Sequence, residues 1–146
     1  MLEKQFVFFD VPGATQAEAV RYLVEQAARL QRVRDVDTVV AAVLQREAEG
    51  TTGFGHGIAI PHGKSAAVTE PTLIYGRMVQ PVDWQAMDGQ PVSVLFMILV
   101  PEASHNEHLQ MLAQLARRLM HADFVEKVST ISDVEQLSEY VQAELA

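Results

Sequence analysis

No cysteine occurs among the 146 residues. That absence excludes disulfides, thiolate metal sites and cysteine nucleophiles, and it leaves a reducing, cytosolic location unopposed. Long apolar runs are also missing. The longest, Val92 to Pro101, falls far short of the roughly 20 residues a membrane helix requires, so a soluble chain is expected. Positive charge is scarce: 11 Lys and Arg stand against 19 Asp and Glu, a formal charge of −8. Such a balance opposes the phosphate neutralisation on which nucleic-acid binding depends, and it favours encounter with a basic protein instead. The P-loop, the dinucleotide fingerprint and the G-x-S-x-G elbow are all absent, so neither a nucleotide nor a serine-hydrolase mechanism is expected. The opening Met1-Leu2-Glu3-Lys4 lacks a basic stretch followed by an apolar core and cleavage site, and no secretory signal is expected. With thiols gone, histidine becomes the leading nucleophile candidate.

What is present alternates between strand-like and helix-like segments. Gln5 to Val11 reads as a strand closed by Pro12-Gly13. Thr15 and Glu18 form a capping box for a helix ending near Gln31, with Ala19, Leu23, Ala27 and Leu30 on its apolar stripe. Asp35 or Asp37 caps a second helix, faced by Val39, Val40, Val43 and Leu44 and ending at Gly50. Thr51 to Gly57 is glycine-rich and predicts a loop leading to a short strand, Ile58-Ala59-Ile60, where pairing should stop at Pro61. Leu73 to Val79 and Val92 to Val100 are the strongest strands, the second central and buried on both faces. Asp83 to Gln90, holding Trp84 and Asp88-Gly89, predicts a turn or short excursion between them. Ser104 and Glu107 predict a second capping box, opening a helix with Leu109, Leu112, Leu115, Ala116 and Leu119 buried. A last helix is expected from Ser132, capped with Glu135 and carrying Val134, Leu137, Tyr140 and Val141. The pattern predicts one α/β domain over residues 1–146, without repeats or linkers.

Pro61-His62-Gly63 places an imidazole just past the apolar run, at the expected mouth of a strand. Gly63 offers no side chain on its far side, so a phosphoryl group or a partner backbone gains close access. The same tripeptide also suits an ordinary surface turn. His108 falls in the first turn of a helix, on the side of residues 112 and 115, where free N–H groups and the helix dipole suit an anion; a histidine packed over Leu112 is the other reading. Arg46, late in the second helix, either pairs a phosphate near His62 or is solvated. His56, His62, His105 and His108 raise a zinc reading, but the HExxH and cysteine frameworks are missing and no third carboxylate ligand stands out. His121, beside Ala122 and Asp123, reads as a helix-end residue facing the dipole.

Glu47, Phe54, Gly55, Ile58, Ala59, Ile60, Pro61, His62 and Gly63, at their spacings, match the signature of a known family. The chain resembles the fructose/mannitol-type enzyme IIA domains of the phosphotransferase system. The likeness continues through Asp88-Gly89-Gln90-Pro91-Val92, the strand ending at Pro101, and Asn106-Glu107-His108-Leu109 with its leucine helix, and so spans essentially the whole chain. The resemblance implies a mixed β-sheet flanked by α-helices on both sides and a phosphotransferase with a phosphohistidine intermediate. The phosphoryl group comes from HPr and goes to a cysteine of an EIIB domain, and the membrane is reached only through the EIIC transporter. It further implies His62 as the acceptor, with His108 and Arg46 as its active-site companions, and no metal or cofactor.

A neutral imidazole at cytosolic pH needs neither metal nor cofactor to act as a nucleophile, and phosphoryl transfer asks mainly for positioning and charge stabilisation. Docking is expected on an apolar patch around His62, with Phe54 and Ile60 contributing, inside an acidic rim. His56 is either surface or a modulator of the His62 pKa. Two branches share such a site: sugar uptake of fructose, mannitol or a related carbohydrate, and a nitrogen-related regulatory protein. Trp84 and the Ala86-Met87-Asp88-Gly89 run point to the sugar branch. A module that has lost transfer is opposed by the joint presence of Arg46, His62 and His108.

Overall fold

The computed structural model describes residues 2–104 and 106–146, the side chains of Glu107 and His108 apart. After a single 3-10 turn at Lys4–Phe6, strand β1 runs Val7–Val11 and helices α1, Gln16–Arg29, and α2, Val36–Glu49, follow. The turn occupies the first residues of the expected Gln5 strand. Thr15 caps α1 in the expected box, its hydroxyl accepting from Glu18 N–H while the Glu18 carboxylate accepts from Thr15 N–H. Asp35, not Asp37, caps α2 by accepting from Thr38 N–H at 3.3 Å. Leu30 lies at the C-cap of α1, beyond its last turn, and is exposed instead of joining the buried stripe.

The chain then makes three short strands in succession before a long pair: β2 Gly53–Gly55, β3 Ile58–Ala59 and β4 His62–Ser65, then β5 Thr72–Val82 and β6 Val92–Pro101. Three helices close the chain: α3 Glu107–Leu119, α4 Ala122–Thr130 and α5 Val134–Leu145. The sheet order is β1-β5-β6-β3-β2, with β4 also pairing β6. β1 is parallel to β5, β5 antiparallel to β6, and β3 and β4 parallel to β6, so the sheet is mixed, as expected. β6 is central and buried along nearly its whole length, which its run of apolar residues required.

Side chains alternate across a strand, so neighbouring residues of β5 report what lies on each face. A Cβ on Gly76 would meet the Leu23 methyls of α1 at 3.1 Å, which puts α1 on one face. Tyr75, next to it, turns the other way. Its hydroxyl donates to Val128 O of α4 at 2.6 Å, and Arg77, two residues on, donates to Val128 O and Ile131 O at 3.1 and 2.7 Å. An aromatic column continues from Tyr75 through Phe96 and Phe124 to Tyr140 of α5, with ring centroids 5.4, 6.3 and 5.8 Å apart. Helices therefore cover both faces.

Three terminal-half expectations change. α3 begins at Glu107 behind Asn106, not behind Ser104, so Ser104 does not cap it. Only Leu115 and Leu119 of its leucines are fully buried, while Leu109 is 55% exposed. The nine-residue α4 was not anticipated, because only Met120 and His121 separate it from α3; His121 is its N-cap position and also follows the C-terminus of α3. α5 is capped by Asp133, one residue later than expected, through Gln136 N–H at 2.9 Å. Among the described residues no helix is long and apolar enough to cross a membrane.

Gly63 of β4 has a role other than access. A Cβ there would lie 2.8 Å from Val43 Cγ2 and 3.3 Å from Val43 N, so its missing side chain is filled by α2. Close helix–strand approach, not an open approach for a partner, is what the glycine supplies. Gly63→Ala forces a β-branched side chain and helix backbone apart and is expected to cost about 1–3 kcal/mol. A lowered Tm that recovers in the Gly63→Ala, Val43→Ala double variant is the expected result; an unchanged Tm in the single variant contradicts this packing.

Burial pushes the Tyr75 hydroxyl up to about 12 from its ordinary 10.0, with the nearby Arg77 guanidinium opposing. The folded value is raised, so the stabilisation is complete below pH 10 and is lost as pH rises through about 12. Stability in denaturant is expected to fall across that window less steeply for Tyr75→Phe than for wild type. Parallel alkaline limbs contradict the assignment.

Candidate active site

The stretch from residue 51 to 57, expected as a loop, is half of a hairpin. β2 pairs antiparallel with β3 through Gly53↔Ala59 and Gly55↔Ile58. His56 and Gly57, both at positive φ (59° and 81°), form the two-residue turn. Both central positions of a type I′ hairpin need this left-handed backbone, so His56-Gly57 was the turn signal that the glycine-rich reading passed over. The His56 N–H donates to Asp88 Oδ2 at 2.9 Å, and this bond, with one from Gln90 N–H, holds the Asp88 carboxyl below its usual range. His56 serves this turn and does not line the cleft that contains His62.

Pairing does not stop at Pro61. β3 and β4 lie along β6 in a single register, Ala59 opposite Leu95 and His62 opposite Ile98. Only residues 60 and 61 step out. The Ile60 N–H turns to Thr52 O at 3.0 Å, and Pro61, which has no donor to lose from the ladder, still accepts from Ile98 N–H at 3.0 Å. His62 is therefore the first residue of a resumed strand and is half-buried, not displayed at a strand's mouth. Its Nδ1 lies 3.0 Å from Ile60 O. A carbonyl only accepts, so Nδ1 carries the proton and Nε2 the lone pair.

His62 opens into a cleft of about 580 Å³. Arg46 of α2 lines it with its guanidinium Nη1 donating to Gly50 O at 2.8 Å, a bond that ties the arginine to the end of its own helix. Lys64 lines it as well and was not singled out from the sequence. The signal was available: residues 62 and 64 of one strand share a face, opposite the Gly63 side that α2 covers. Phe54 and Ile60 contribute apolar surface as expected, joined by Met87, 82% exposed, and by Leu109 and Leu112 of α3. His108 belongs to the first turn of that same helix; its side chain, like the whole of His105, lies outside the described residues, and with them the zinc reading.

The expected acidic rim is not reproduced. Among the described lining residues the charged side chains are Arg46 and Lys64, both cations. Two described carboxylates are engaged elsewhere: Asp88 at the hairpin turn, and Glu47 with Thr52 and Trp84. Glu47 Oε2 accepts from Thr52 N–H at 3.1 Å, and Oε1 accepts from the Thr52 hydroxyl and from Trp84 Nε1–H, the latter at 3.2 Å. Trp84, 1% exposed, is thus an internal strut beneath the site, which accounts for its presence without reference to any branch of the family.

Such a cleft, with a half-buried imidazole of defined tautomer and two cations on an apolar floor, is suited to holding a phosphoryl group next to a docked protein surface. The family model described as "Phosphoenolpyruvate-dependent sugar phosphotransferase system, EIIA 2" matches residues 1–144. The chain is 42% identical over 144 residues to the fructose-specific EIIA component of Haloferax volcanii, covering 94% of this chain and 92% of that protein. It is 32% identical over 123 residues to the fructose-specific EIIABC component of Bacillus subtilis, covering 84% of this chain and 19% of that longer protein. The crystal structure of the nitrogen regulatory protein IIA-Ntr from Neisseria meningitidis superposes with a TM-score of 0.86 at 32% identity, over 99% of this chain and 96% of that one. A signature histidine on a resumed strand, a fold shared end to end and a family match over nearly every residue lead to one conclusion: the chain belongs to the EIIA 2 family of the phosphoenolpyruvate-dependent sugar phosphotransferase system.

Proposed function

We propose that the chain, as one domain over residues 1–146, is a cytoplasmic phosphocarrier in which His62 takes a phosphoryl group from phosphorylated HPr and passes it to a cysteine of an EIIB domain. The observation that carries the reading is the His62 Nδ1–H to Ile60 O hydrogen bond inside a cation-lined cleft. Attack by the Nε2 lone pair forms the new N–P bond as the bond to the HPr nitrogen breaks, and the proton stays on Nδ1. The ring gains positive charge in that step, so its Nδ1–H bond to Ile60 O strengthens. The leaving and attacking groups need no metal, because the phosphoryl oxygens are met by cations of the protein itself.

Arg46 and Lys64 are assigned to those oxygens, Arg46 as a fork and Lys64 as a mobile point charge. His108, from the first turn of α3, is assigned to orient the phosphoryl group together with the helix N-terminus. The exposed Met87 and Leu109, with Phe54 and Ile60, form the apolar floor on which donor and acceptor proteins dock in turn. With Asp88 and Glu47 held away from the cleft, its charge is local and positive even though the whole chain carries −8.

Transfer toward uptake of fructose, mannitol or a related sugar is the favoured outcome, supported by the fructose-specific relatives. Regulation of other proteins through the phosphorylation state of His62 is the second reading, favoured by the likeness to the Neisseria nitrogen regulatory protein.

Incubation with phosphoenolpyruvate, enzyme I and HPr is expected to add one acid-labile phosphoryl group to the wild type and none to His62→Ala, read by intact mass. An unmodified wild type contradicts the carrier role. In the same assay His108→Ala is expected to accept the group yet pass it to EIIB at least about tenfold more slowly. Loss of label to one EIIB domain among several marks the sugar branch, and retention against all of them marks the regulatory one.

A further inference from the structure

The carboxylate of Glu47 belongs to the family signature but lies outside the cleft, and nothing in the phosphoryl chemistry uses it directly. Its partners form a continuous path to His62. Trp84 Nε1–H and the Thr52 hydroxyl donate to Oε1, and Thr52 N–H donates to Oε2 at 3.1 Å. Thr52 is thereby held at both its N–H and its hydroxyl, and its carbonyl accepts Ile60 N–H at 3.0 Å. Ile60 is the residue that leaves the β6 ladder, so this bond anchors its backbone on the N-terminal side, where the sheet does not. The carbonyl of the same residue accepts His62 Nδ1–H at 3.0 Å.

Resting on the reading of His62 as the phosphoryl acceptor, we infer that Glu47 is a positioning residue. Clamped by Trp84 and Thr52, it sets the Ile60 backbone, whose carbonyl holds His62 in its Nδ1–H tautomer with Nε2 as the unprotonated nitrogen. A neutral imidazole in water divides its proton between the two nitrogens, and only one tautomer presents Nε2 as nucleophile. Nδ1 is engaged by the Ile60 carbonyl, and an Nε2–H tautomer carries no lone pair at the other nitrogen with which to attack a phosphoryl donor. Two contacts lock the path from outside. The Thr51 hydroxyl donates to Trp84 O at 2.9 Å, and Met87 N–H donates to Gly53 O at 3.2 Å, so the loop bearing Trp84 is fastened to residues 51 and 53 on either side of Thr52. Glu47 sits at the centre of that junction and receives both donors of Thr52 and the one of Trp84.

The test reads the tautomer and the rate separately. In protein labelled with 15N at histidine, long-range 1H–15N correlation is expected to show His62 as the Nδ1–H form in the wild type and as a mixture of tautomers in Glu47→Ala. The Glu47→Ala variant is also expected to accept phosphoryl groups from HPr about tenfold more slowly, in kcat, with KM for phosphorylated HPr unchanged. Glu47→Gln, which keeps one acceptor oxygen, should fall between the two. A folded Glu47→Ala with the wild-type tautomer and the wild-type rate overturns the inference. Where Glu47→Ala fails to fold, Trp84→Phe, which removes the indole N–H donor together with part of the ring and leaves the Thr52 donors in place, is expected to shift both readouts in the same direction, and no shift in either overturns it. A His62 tautomer that answers to Glu47 in a wild type that accepts no phosphoryl group defeats the carrier reading alone; phosphorylation with an indifferent tautomer defeats this inference alone.

Discussion

The parallel pairing of residues 58–65 with β6 is the constraint on which the site depends. β6 is buried on both faces, and the segment bearing His62 is laid against it in one register on both sides of a two-residue break. Pro61 makes the break tolerable, because it has no N–H to leave unpaired and its carbonyl still takes Ile98 N–H. Inside the break the two peptide units that flank Ile60 face different partners, the Ile60 N–H toward Thr52 and the Ile60 carbonyl toward His62. The His62 imidazole thus takes its orientation from the Ile60 carbonyl, which the Thr52 and Glu47 contacts behind it hold in place.

Around this backbone the packing is layered by small residues. Gly63 admits Val43 of α2 and Gly76 admits Leu23 of α1, which draws both helices close to the sheet and carries Arg46, one turn beyond Val43, to the edge of the cleft. Gly53 has the same function on the other side, where a Cβ would meet Ala86 Cα at 2.7 Å and separate β2 from the Trp84 loop. The Tyr75 to Tyr140 aromatic column lies on the same face of the sheet as His62, because His62 pairs with Ile98 and Tyr75 with Phe96, two residues along β6; none of its rings lines the cleft. Charge follows the same division, with cations in the cleft and carboxylates engaged by backbone N–H groups beside it.

Much of this was legible in the sequence where a local rule governs. The Thr15 box, a cap at Asp35 or Asp37 and the central β6 follow from capping chemistry and apolar continuity, and the family resemblance implied Arg46 beside His62. What escaped was tertiary. Gly63 reads as access in the sequence, and only the position of Val43 shows that a helix fills it. His56-Gly57 carries a hairpin signal that composition hid among neighbouring glycines. Leu109 sits at buried spacing on α3, yet the cleft needs that end of the helix uncovered. The acidic rim was extrapolated from net charge, a quantity that says nothing about where individual carboxylates find their hydrogen bonds. Lys64 was missed because strand alternation was not applied across Pro61, where pairing was expected to end.

The central claim is that the fold offers Nε2 of His62, and not Nδ1, to the phosphoryl donor. It is tested most directly by 15N–31P coupling in the phosphorylated, histidine-labelled protein. The account predicts phosphorus bonded to Nε2 with a proton retained on Nδ1; phosphorus bonded to Nδ1 would contradict it.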